Sequence, residues 1–168
     1  QMGLNDPLDK FFPAFPYEGI TVKLLLNHRS GLPNYGYFLS DKKIWDPAIS
    51  VRNEDVLNSL YTHKPGAASR PDTRFNYCNT NFVLLAMIIE KVSGMSYSEF
   101  LNQNFFQPLQ MNDTYVYSEA DSARAIPSFK ANSGFWQNDQ FDLTYGDKNI
   151  YSTPKDLLRW SQAVQGGL

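Results

Sequence analysis

Cysteine is almost missing from this chain. Its one thiol, Cys78, cannot form an intramolecular disulfide, so internal cross-linking is excluded as a source of stability. Histidine is nearly as scarce. His28 and His63 lie far apart, and with a lone cysteine they give no spacing that suits zinc. No metal and no cofactor is expected. Long hydrophobic runs are absent too: the longest, Phe82 to Ile89, has eight residues, too few to cross a bilayer, so no membrane segment is expected. Nor does one sign of charge dominate. Fifteen Lys and Arg against 17 Asp and Glu leave a net charge of −2 with no basic block, which argues against nucleic acid or an anionic membrane surface as partner.

Aromatic residues are what the chain has in plenty. They make up 15% of 168 residues, within a hydrophobic content of 42%. That favours a packed domain over a disordered segment, and the length suits a single domain over residues 1–168. Gln1-Met2-Gly3 reads as an arbitrary start, because patterning is under way by Asn5.

Local signals predict short helices joined by long loops. Asp6-Pro7 opens a helix that ends at Pro13, and Thr21 caps another over Val22 to His28, stopped by Gly31 and Pro33. Residues 34–52 and 64–76 read as loops. Asn53 is expected to cap a helix carrying Val56, Leu57 and Leu60. A helix over Asn81 to Val92 is apolar on almost every face, which implies burial all round. Ser96 and Glu99 form a capping box for the next helix, which ends before Pro108. Thr114 to Tyr117 favours strand and Ala125 to Phe129 weakly so, while Ser133 to Leu143 has no clear period. Thr153-Pro154-Lys155-Asp156 supplies an N-cap, a first-turn proline and a capping acid for a last helix. Leu157, Trp160 and Val164 form its apolar stripe.

Four segments, taken in order, carry a resemblance. Gly19 to Pro33 contains Leu24-Leu25-Leu26-Asn27-His28-Arg29-Ser30-Gly31-Leu32-Pro33. Tyr77-Cys78-Asn79 precedes the buried helix and Val92-Ser93-Gly94. Pro108-Leu109-Gln110-Met111-Asn112-Asp113-Thr114 comes third, and Ser152-Thr153-Pro154-Lys155-Asp156-Leu157 fourth. Together they resemble the class C β-lactamase and DD-peptidase family of serine hydrolases, with Tyr77-Cys78-Asn79 similar to its Tyr-x-Asn motif.

The resemblance implies a mainly α structure: the helical lobe of that fold, with a few short strands and without the main antiparallel sheet. It implies acyl transfer through a serine, with Tyr77 catalytic and Asn79 binding substrate. Tyr35, after Leu32-Pro33, is expected at the cleft mouth. A tyrosine hydroxyl can relay a proton where cations lower its pKa, and an asparagine amide can donate to and accept from a substrate amide at once. The implied substrate of the parent enzyme is a peptidoglycan-like peptide, a β-lactam or an ester, and the implied compartment is the bacterial periplasm or envelope.

The family's nucleophilic Ser-x-x-Lys stands before the Ile20–Pro33 segment. Both such strings here, Ser40 to Lys43 and Ser152 to Lys155, follow it. With 14 serines and nine lysines, about one such string is expected by chance, so neither is read as the nucleophile. Lys64-Pro65-Gly66 is read as a turn, Cys78 as a small buried hydrophobe, and His28 as a residue favoured by the helix dipole at a helix end. Asn149 stands where the family often has Gly. The chain alone is therefore expected to be inactive, and to dimerise through apolar surface that a missing part of the fold would cover. A stand-alone, non-catalytic binding or scaffold module is the alternative.

Overall fold

The computed structural model describes residues 2–136 and 139–168. Gln1, and with it part of the reading of the chain start, lies outside them, as do two residues of the aperiodic stretch Ser133 to Leu143. Among the described residues six α-helices follow one another: α1 (Val22–Leu26), α2 (Tyr35–Phe38), α3 (Asn53–His63), α4 (Thr80–Ser93), α5 (Tyr97–Leu101) and α6 (Pro154–Gln165). One small antiparallel sheet pairs β1 (Tyr115–Val116) with β2 (Ile150–Tyr151), Tyr115 opposite Tyr151. The expected helical lobe without a large sheet is what the described residues form.

Helix α4 is the axis of the lobe. Val83, Leu84 and Ile88 are fully buried against α1, α3 and the loops between them, with Leu25, Leu32, Leu39, Val56 and Leu60. A helix apolar on so many sides has to be wrapped by other elements, because each exposed face would leave roughly 25 cal/mol per Å² of apolar surface in water. It ends at Gly94, in the left-handed conformation at φ 71°.

Several predicted elements form with shifted bounds. The helix expected after Pro7 is one 3₁₀ turn, Leu8–Lys10, and α1 stops at Leu26 rather than His28. Within the loop expected over 34–52, Asn34 caps the single turn of α2, its Oδ1 accepting from the Gly36 N–H at 3.2 Å. The Ser96–Glu99 capping box forms as read, with Ser96 Oγ accepting from Glu99 N–H and Glu99 Oε2 from Ser96 N–H.

Two caps are reassigned. Asn53 does not cap α3. Asp55 takes the N–H of Arg52 instead, and Asn53 is buried with both ends of its amide on the backbone of Tyr145, at 3.0 Å each. Asp156 is likewise not a capping acid. It is buried and accepts from Asp113 N–H, Thr114 Oγ1 and Arg159 Nη1, tying α6 to the Met111–Thr114 segment. A buried acceptor outbids a solvated cap because an unmet polar group inside costs about 1–3 kcal/mol. Thr153 is the cap of α6 as read, its Oγ1 accepting from Asp156 N–H.

Close backbone approach fixes the loop before β2. A Cβ on Gly146 would stand 2.4 Å from the Phe82 carbonyl oxygen, and its φ is +98°. This contact seats Gly146 against Phe82 and Ala86 of α4.

Candidate active site

Tyr77 and Asn79 flank the start of α4 and face opposite demands. Tyr77 is 63% exposed, although it is a large aromatic. Its ring leans on the imidazole of His28, centroids 4.5 Å apart, and His28 also meets Phe75 and Phe82. Asn79 is partly buried, and its Oδ1 is fully enclosed with no hydrogen-bond partner among the described residues. Buried polar atoms are rarely left unpaired, so this oxygen marks a place where a donor is wanted.

His28 holds this turn in place. It sits two residues past α1 at φ 56°, and Cys78 N–H donates to its Nδ1 at 3.2 Å, while its carbonyl accepts from Asn76 N–H. A ring nitrogen that accepts is unprotonated, and burial lowers the imidazole below its ordinary value of 6.5. His28 is thus a neutral strut under Tyr77, not the cation at a helix end expected from the sequence.

Cys78 is the inward member of the triplet. It is 1% exposed, its thiol lies 3.4 Å from the Leu32 carbonyl, and burial pushes it above its ordinary value, so it is not poised as a thiolate. Burial thus runs from exposed Tyr77 through buried Cys78 to half-buried Asn79, whose backbone is already helical at φ −66° and ψ −32°.

Tyr35 is not at the surface. It is 2% exposed, and its hydroxyl bonds Thr144 Oγ1 at 2.9 Å and Asp147 Oδ2 at 2.7 Å. The expectation that it lines a cleft mouth is corrected: its ring is core, and its hydroxyl is committed to the Gly146 loop. Burial, then the Asp147 charge, raises the Tyr35 hydroxyl well above its ordinary range, and burial also raises Asp147. Asp147 Oδ1 is a second enclosed oxygen without a partner among the described residues. No sequence signal singled out Asp147, because a lone acid in a loop has no pattern.

Neither Ser-x-x-Lys string builds a nucleophile. Ser40 donates to the Gly36 carbonyl at 2.6 Å, and Ser152 bonds Thr114 Oγ1 at 2.8 Å. Lys64 is the left-handed residue closing α3, and the Pro65 carbonyl takes the Tyr17 hydroxyl, so Lys64-Pro65-Gly66 opens the loop that leaves α3. Among the described residues no cluster of His, Cys, Asp and Glu could hold a metal, and no helix is long and apolar enough to cross a membrane.

The whole sequence, residues 1–168, matches the family described as Beta-lactamase. The chain belongs to the beta-lactamase family. This beta-lactamase-family chain is 34% identical over 180 residues to Penicillin-binding protein 4* of Bacillus subtilis (strain 168), covering 97% of itself and 39% of that protein. It is 30% identical over 171 residues to the Teichoic acid D-alanine hydrolase of Staphylococcus aureus, covering 98% of itself and 40% of that protein. Among solved structures, D-amino acid amidase from Ochrobactrum anthropi SV3 superposes with a TM-score of 0.76 at 28% identity, over 99% of this chain and 49% of that one. The chain spans about two fifths of the length of the curated relatives it matches. Its helices are the helical lobe of the beta-lactamase and penicillin-binding-protein fold.

Proposed function

We propose that this chain forms one wall of the catalytic cleft of a serine hydrolase that acts on D-aminoacyl peptides, esters or β-lactams. The observation that carries the reading is an exposed Tyr77 two residues from the unpartnered Asn79 Oδ1, on a turn braced by a neutral His28. The D-aminoacyl class is supported by the relatives, one named for hydrolysing D-alanine from teichoic acid and one for D-amino acid amides.

In this reading the serine and its lysine partner come from sequence outside these 168 residues. As the serine attacks the acyl carbon, Tyr77 Oη takes its proton while passing its own to the amine of the lysine partner, and the reverse transfer delivers a proton to the leaving group as its bond to the acyl carbon breaks. Asn79 Oδ1 accepts a donor at the cleft, from the substrate amide N–H or from the lysine ammonium. Positioned proton transfer of this kind contributes roughly 10²–10⁴-fold to rate. Residues 1–168 by themselves supply neither nucleophile nor oxyanion donors, so the chain alone is inactive.

The test is steady-state hydrolysis of a D-alanyl ester by the gene product that carries this lobe with its flanking sequence. Tyr77→Phe is expected to lower kcat by about 100-fold or more with little change in KM or melting temperature. A variant within threefold of wild type would remove Tyr77 from the proton path.

A further inference from the structure

A second concave site lies away from Tyr77, between the small sheet and a hairpin. Phe129 pairs with Phe135, Trp136 N–H donates to the Ser128 carbonyl, and Lys130 N–H donates to Gly134. Because cross-strand partners share a face and neighbours alternate, Phe129 and Phe135 point one way and Ser128 and Trp136 the other. The Ser128–Trp136 face closes a cavity of about 460 Å³ whose far wall is Tyr117, Tyr151, Asp142 and Asn149.

That far wall is held by ring packing. Tyr151 lies between Tyr115 and Tyr117, with centroids 5.5 and 5.4 Å away, and the Arg124 guanidinium caps Tyr115 at 3.6 Å. Asn149 is in the left-handed conformation at φ 68°, and its Nδ2 hydrogens go to the carbonyls of Asp142 and Thr144, which leaves Oδ1 as its acceptor. Glycine there would remove both the acceptor and the clamp. Asp142 is held in turn by Asp139 N–H at 2.6 Å. Trp136, at 56% exposed, stands over the cavity with the Lys130 ammonium 5.8 Å from its ring centroid.

A large exposed aromatic facing fixed carboxylate, amide and hydroxyl groups suits a ligand with one apolar face and a polar rim. A pyranose ring is such a ligand: its axial C–H face is apolar, and its hydroxyls radiate from the edge. We propose that this cavity is a saccharide subsite, in which a sugar ring stacks on Trp136 while its hydroxyls bond Asp142, Asn149 and Ser128. A lipid surface fits less well, because the Trp136 side is concave and polar and the net charge of the chain is −2. Binding rests on this geometry alone. Its use in holding the sugar portion of a cell-wall polymer rests on the hydrolase reading above.

Saturation-transfer NMR on the protons of a β-1,4-linked N-acetylglucosamine tetramer, with the 168-residue chain and no turnover, separates the two. Wild type is expected to bind saturably at millimolar sugar. Trp136→Ala is expected to weaken binding about tenfold, Trp136→Phe to retain most of it, and Phe129→Ala/Phe135→Ala to leave it unchanged. Near-UV circular dichroism checks each variant for folding. No saturable transfer to wild type, equal binding by Trp136→Ala, or loss only in the Phe129→Ala/Phe135→Ala variant would overturn the proposal. So would association with phosphatidylglycerol vesicles in place of the sugar. Failure here leaves the Tyr77 reading standing, since that is read by hydrolysis.

Discussion

At the residue scale, Tyr77-Cys78-Asn79 could be singled out because its motif is short and stands in order among three other segments. What was not legible is what holds it. His28 occurs in the same quoted segment as Ser30 and Gly31, yet its role depends on a fold that brings residues 28 and 78 within 3.2 Å. Tyr35 was misplaced for the converse reason. A position next to Leu32-Pro33 says nothing of depth, and the hydroxyl that seemed free for substrate is taken by Thr144 and Asp147. His28 supports a pH prediction. Its folded value lies below 6.5, so its neutral form contributes stability that is full above about pH 6.5 and is lost as pH falls through the lowered folded value. Thermal melting between pH 7.5 and 5 should therefore show a decline that His28→Asn flattens, asparagine being tolerant of φ 56°. An unchanged slope in that variant would mean that His28 does not titrate on unfolding.

At the element scale, helices with strong end signals were readable, and those without were not. Thr153-Pro154 and the Ser96–Glu99 box fix α6 and α5, because caps act within one turn. The bounds of α1 and the single turn of α2 are set by burial of Leu25 and Tyr35, which no local pattern encodes. Strand β2 was missed because two residues carry no period, and it exists only where β1 offers its edge. One cap that formed as read and one residue that did not give a graded expectation. Thr153→Ala should cost about 1 kcal/mol as a lost cap, and Asn53→Ala roughly 2–3 kcal/mol, since it strands a buried N–H and C=O of Tyr145. Urea unfolding of the two variants checks the order, and a reversal would restore Asn53 to the helix-cap role.

At the scale of the whole molecule, the lobe buries one side of its helices and leaves another open. The α6 stripe was read correctly as apolar, yet Leu157 and Val164 are exposed, and a pocket of about 480 Å³ opens beside Trp160. Patches of this kind mark surfaces that meet protein. Sedimentation of the 168-residue chain is expected to show self-association that Leu157→Glu/Val164→Glu reduces; a wild-type monomer at all concentrations would count against it.

The proposed site is half of a serine acyl-transfer centre, with Tyr77 and Asn79 on the lobe and the nucleophile elsewhere. Covalent labelling by a fluorescent penicillin, read on a denaturing gel, tests it most directly. No label is expected on the folded 168-residue chain, and label is expected on the gene product that carries the lobe with its flanking sequence. Label on the short chain, mapping to Ser40 or Ser152, would contradict it.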